Sequence, residues 1–106
     1  MTLAYRSLPD VSLIVRVQYF GVIQEIVGKR QEDFEISGSC SLLSLLKLVT
    51  GKHGRSMESY LFEPNLLTPR QIHLFLVNGK VHTAGQISTV ILDNDSVVTI
   101  VPTQGG

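Results

Sequence analysis

The sequence predicts an α+β fold, a mixed sheet of four to five strands with one main helix packed on one face. Three observations predict it. Residues 13–19 and 32–36 alternate apolar and polar at a period of two, Leu42, Leu45, Leu46 and Val49 recur at helical spacing, and residues 96–101 form an almost unbroken apolar run. The chain has 106 residues, 43% of them hydrophobic, so it is one domain able to bury a core without staples. It divides into an N-terminal extension at residues 1–10, a domain at 11–102 and a flexible C-terminal tail at 103–106.

Residues 1–10 show no period and read as the extension. In the first strand Leu13, Val15, Val17 and Tyr19 share one face, with Arg16 and Gln18 between them. Val22, Ile23, Ile26 and Val27 then suit a short helical or turn-like connection that ends at Gly28. In the next strand Phe34 and Ile36 lie on one side and Asp33 and Glu35 on the other, so this strand folds back on the first as a hairpin. Ser41 is a good N-cap for the main helix, because its hydroxyl can accept from a free amide of the first turn. Lys47 and Lys52 suit the negative end of that helix, and Gly51 or Gly54 can stop it.

The segment from Arg55 to Gln71, with Pro64 and Pro69, reads as a long connection with one helical turn at Ser59 to Phe62. Ile72 to Val77 is a β-rich run, and Asn78-Gly79 is the preferred dipeptide for a type I′ turn into Lys80 to His82. Ser88 to Leu92 suits a turn or short strand. Asp93-Asn94-Asp95 makes a tight turn in which Asn94 tolerates a positive φ. Ser96 to Val101 is the last strand, and its apolar residues on both faces place it in the sheet centre. Pro102 cannot donate to a ladder and is expected to end the pairing. A right-handed crossover sets this strand parallel to the first, with the helix over both: a β-grasp.

Composition excludes several function classes. Nine basic residues balance nine acidic ones, which leaves no electrostatic footprint for nucleic acid or an anionic membrane. Cys40 is the single cysteine, which rules out an internal disulfide and fits a reducing compartment. No signal-like apolar stretch opens the chain and no run of eighteen apolar residues occurs, so a soluble, cytoplasmic protein is expected.

The chemistry is expected at the tail. Pro102, Thr103, Gln104, Gly105 and Gly106 form a segment that would insert into a partner, and its last two residues fit a channel too narrow for a Cβ. Fully extended, residues 103–106 reach roughly 13 Å from the body. The Gly106 carboxylate, with a reference pKa of about 3.5, is ionised near neutrality and becomes electrophilic only as a mixed anhydride such as an acyl-adenylate.

These residues resemble the ubiquitin-like sulfur carriers, above all the small subunit of molybdopterin synthase (MoaD) and its archaeal modifier relatives. Carrying the resemblance are Val15 to Phe20 with Ile23 to Gly28, Ser41 to Leu46, Leu76-Val77-Asn78-Gly79, Leu92 to Val97, and Pro102 with Gly105-Gly106. Asn94 stands where that family usually has glycine, and the stretch between the helix and the second hairpin is longer than in its shortest members. The resemblance implies a ubiquitin-like β-grasp and a sulfur carrier in molybdenum cofactor biosynthesis. An adenylating enzyme related to the ubiquitin-activating enzymes would use Mg-ATP to turn the Gly106 carboxylate into glycyl-AMP, and a sulfur donor would convert that to a thiocarboxylate. The tail would then hand its sulfur to a pterin precursor in the large subunit of molybdopterin synthase. The resemblance also implies that no cofactor is held permanently and that the carrier contributes no catalytic group of its own. The alternatives are a protein modifier joined to target lysines, a carrier for tRNA thiolation, and a plain interaction domain with an inert tail.

Other chemistry-bearing residues read as structural. His53, His73 and His82 have neither the helical i, i+4 pairing nor the cysteine neighbours of a zinc site, so no metal is expected. Cys40 reads as a small, half-buried apolar residue, and Asp93 and Asp95 as turn residues. Phe75 lies on the strand face opposite Ile72, Leu74 and Leu76. If the leucines face the core, Phe75 points outward and forms a partner-docking patch beside the tail exit; the run is apolar on both sides, so the reverse register is equally compatible.

Overall fold

The computed structural model describes residues 12–62 and 73–102, except for the side chain of Pro102. The N-terminal extension, the segment 63–72 and the tail residues Thr103, Gln104, Gly105 and Gly106 lie outside the described residues. The elements in chain order are β1 (Ser12–Tyr19), α1 (Gly21–Val27), β2 (Gln31–Ser37), β3 (Cys40–Ser41), α2 (Leu42–His53), α3 (Arg55–Leu61), β4 (His73–Val77), β5 (Lys80–Thr83), a 3-10 turn (Ala84–Gln86), β6 (Ile91–Leu92) and β7 (Val97–Pro102). Five strands form one mixed sheet in the order β2-β1-β7-β4-β5, and β3 pairs with β6 in a small second sheet. The strand β7 is central, parallel to β1 and antiparallel to β4. This is the expected β-grasp.

The helices cover one face of the sheet. Val15, Val17 and Tyr19 of β1 and Val98 and Ile100 of β7 point into the same core as Leu42, Leu45, Leu46 and Val49 of α2. Leu42, Leu45, Leu46 and Val49 are all fully buried, so the i, i+3, i+4, i+7 stripe is the docking face. Ser41 caps α2 by accepting from the Ser44 amide at 3.1 Å. At the other end Gly54 takes φ 90° and ψ −166°, a conformation open in practice to glycine alone, and there the chain turns from α2 into α3.

Two expectations are corrected and a third is refined. The helical piece after α2 starts at Arg55, not Ser59, because Met57 and Leu61 form an i, i+4 pair that is wholly buried. In the turn before β7 the residue with positive φ is Asp95 (φ 67°), not Asn94. Ile14 explains this: Asp95 donates its amide to the Ile14 carbonyl at 2.8 Å, while Asn94 Oδ1 accepts from the Ile14 amide at 2.9 Å. Pairing also runs as far as Pro102, whose partner in β4 is His73, so the last strand does not stop at Val101.

The Asn78-Gly79 turn is as expected, with φ values of 53° and 87°. Asn78 Oδ1 also accepts from the Val97 amide at 2.9 Å, which joins the β4–β5 turn to the start of β7. No helix among the described residues is long and apolar enough to cross a membrane.

Candidate functional site

β7 is the last described element, and Gly105-Gly106 follow it in sequence. Because β7 runs parallel to β1, with Tyr19 opposite Ile100, Val101 and Pro102 emerge at the same end as Phe20 and the start of α1. Phe20 and Val22 are large apolar residues left half-exposed at that end, at 51% and 49%. A shallow cleft of about 280 Å³ opens beside them, lined by Gln18, Tyr19, Phe20, Gln24, Arg30 and Gln31.

Of the expected site residues, Pro102 is the final residue of β7, and Thr103, Gln104, Gly105 and Gly106 lie beyond the described residues. Phe75 is a correction. It is fully buried among the core residues, so it forms no outward patch. The physical reason is register. Phe75 is the partner of Ile100, which faces the helices, whereas Leu74 and Leu76 pair with Val101 and Thr99 on the opposite, uncovered face. An apolar surface near the exit does exist, built from half-buried Leu74, Leu76 and Val101 together with Val81, which is 51% exposed. Val81 is the partner of Leu76, so the patch continues onto β5.

Sequence reasoning missed Glu32. It shares the parity of Phe34 and Ile36 and therefore faces inward, its side chain only 5% exposed. Three hydrogen-bonding side chains and one longer ion pair surround the carboxylate. Tyr19 donates its hydroxyl to Oε2 at 2.5 Å, Lys52 donates to Oε1 at 2.7 Å, Lys29 approaches Oε1 at 3.6 Å, and His53 Nε2 contacts Oε2. Burial pushes the Glu32 carboxyl up, but hydrogen bonds from Lys52, Tyr19 and His53 outweigh it and hold the group down at about 2. The Tyr19 phenol is pushed up, first by burial and then by its bond to Glu32, so it remains a donor. The signal for this centre was the strand parity of residue 32, an acid among inward-facing apolar positions.

The remaining polar candidates have structural surroundings. His73 is buried, with Nε2 at 2.8 Å from the Tyr60 carbonyl oxygen. Cys40 is a buried free thiol, pushed up by that burial and donating to the Ser41 carbonyl at 3.3 Å. Among the described residues, no three His, Cys, Asp or Glu side chains gather into a group that could hold a metal ion.

No family model matches the chain, and no curated protein matches it in sequence. Solved structures do match its fold. SAMP1 from Haloferax volcanii superposes with a TM-score of 0.75 at 18% identity, over 88% of this chain and 98% of its own. A candidate molybdopterin converting factor, subunit 1, from Pyrococcus furiosus gives a TM-score of 0.67 at 18% identity, covering 85% of this chain and 97% of its own. Urm1 from Trypanosoma brucei gives 0.66 at 18% identity, covering 92% of this chain and 99% of its own. These neighbours are ubiquitin-like carrier and modifier proteins, and the fold that this chain shares with them is the ubiquitin-like β-grasp.

Proposed function

We propose that this protein is a cytoplasmic sulfur carrier whose Gly106 carboxylate is charged by a partner, serving molybdopterin biosynthesis as the small subunit of molybdopterin synthase. The observation that carries this reading is the placement of β7: the central strand ends at Pro102, at the end of the sheet where Phe20 and Val22 are exposed. The likeness in fold to a molybdopterin converting factor subunit supports it.

In the chemistry that follows, a carboxylate oxygen of Gly106 attacks the α-phosphorus of ATP on the activating enzyme, and pyrophosphate leaves. Hydrosulfide from a sulfur donor then adds at the acyl carbon and expels AMP, which leaves a thiocarboxylate. That group is a stronger nucleophile than the carboxylate at neutral pH, and it would deliver its sulfur inside the synthase's large subunit. The carrier supplies the stalk and the docking surface, while Mg-ATP and the catalytic groups belong to its partners.

A second reading has its own support, since SAMP1 and Urm1 are also among the structures of this fold. Here the activated Gly106 is joined to target lysines, or its sulfur goes to tRNA thiolation. Incubation of the full chain with an adenylating enzyme, Mg-ATP and sulfide tests both readings at their shared step. The intact mass should rise by the difference between sulfur and oxygen, and an unchanged mass overturns both. Co-purification with a molybdopterin synthase large subunit then supports the first reading, and isopeptide adducts on lysines support the second.

A further inference from the structure

We propose that Glu32 is a positioning residue that closes the segment 20–28 into a fixed loop and so holds Phe20 and Val22 at the root of the tail. This deepens the reading above and rests on it for its functional consequence. The helix α1 is bracketed in sequence by Tyr19 and Lys29, and both reach the same carboxylate: Tyr19 at Oε2 and Lys29 at Oε1. Tyr19 is also the partner of Ile100 in β7, two positions before Pro102. One buried acid therefore joins the segment that carries the exposed aromatic to the strand that releases the tail.

Lys52 and His53, the last two residues of α2, complete the tie from the helix layer. The Tyr19 and His53 rings meet edge to face at 6.2 Å. Lys29, Lys52 and His53 all pair with Glu32, whereas the Arg16 and Asp33 pair is half-exposed on the other sheet face. An ionic centre buried like this stabilises a fold no better than well-packed apolar side chains of the same volume. What it adds is direction, because each donor must arrive at a particular oxygen.

The test compares wild type with Tyr19→Phe, which removes one hydroxyl and keeps the ring, and with Glu32→Gln. Native-state amide exchange of the full chain is followed at Glu25 to Gly28 and, at the opposite edge of the sheet, at Lys80 to Thr83 of β5. Both variants should speed exchange at Glu25 to Gly28 by about tenfold and leave Lys80 to Thr83, whose local opening breaks no bond to Glu32, unchanged. Equal acceleration at both segments, or none at Glu25 to Gly28, overturns the proposal, and Tyr19→Phe decides it if Glu32→Gln does not fold. In ATP–pyrophosphate exchange with the adenylating enzyme, Tyr19→Phe should raise the KM for the carrier about tenfold at unchanged kcat. An unchanged KM also counts against the proposal. A wild-type chain that supports no pyrophosphate exchange counts instead against the functional reading, and the amide comparison then judges Glu32 alone.

Discussion

Tyr19 and Glu32, thirteen positions apart in sequence, share a buried hydrogen bond of 2.5 Å between the phenol and the carboxylate. The bond closes the sheet end at which β7 finishes, and it brings α2 into the same contact through Lys52 and His53.

Removing the phenol alone should cost about 1.5–3 kcal/mol, the usual worth of a hydrogen bond to a charged group. Urea unfolding of Tyr19→Phe measures this. Glu32→Ala should cost more than Tyr19→Phe, because it removes the shared acceptor of the buried Tyr19 hydroxyl and the His53 ring as well as the partner of Lys52.

Stability should fall in acid with a defined sign. The folded-state value for Glu32, about 2, lies below its ordinary 4.5, so the carboxylate contributes fully above pH 4.5 and loses that contribution as pH falls toward 2. The displacement corresponds to a loss of the order of 3 kcal/mol. Urea midpoints measured down this range should show the loss in wild type and a flatter profile in Glu32→Gln.

Phe75 and Val81 should separate core from surface. Phe75→Ala is expected to destabilise by about 3–5 kcal/mol because it opens a cavity beneath the helices. Val81→Ala should stay within about 0.5 kcal/mol. Thermal unfolding distinguishes them, and comparable effects at the two positions would contradict the observed register.

Docking should depend on the exposed apolar residues at the tail end. Phe20→Ala should weaken binding to the activating enzyme by roughly 30-fold, the scale of a single interface anchor, with little change in melting temperature. Titration calorimetry on the wild type and the variant gives both affinities.

Much of this architecture was legible in the sequence. Alternation at Val15, Val17 and Tyr19 and the leucine stripe of α2 gave the two layers, since each pattern has only one way to bury its apolar side. The crossover rule then gave the parallel β1–β7 pair. Phe75 was not decidable by pattern, because its strand is apolar on both sides, and only pairing with Ile100 selects the buried face. Asn94 and Asp95 both tolerate positive φ, and it took hydrogen bonds to Ile14, some eighty positions away, to choose between them. Glu32 was hidden for a similar reason: its partners at Tyr19, Lys52 and His53 are gathered by the tertiary fold, and only its inward parity was local. The tail is the reverse case. Its motif is plain in sequence, and its residues 103–106 fall outside the described structure.

The central claim is that the reacting group is the Gly106 carboxylate, and ATP–pyrophosphate exchange on the adenylating enzyme tests it most directly. Labelled pyrophosphate should enter ATP in the presence of the full chain and fail to do so with a chain ending at Gly105. Equal exchange with both chains would contradict the account.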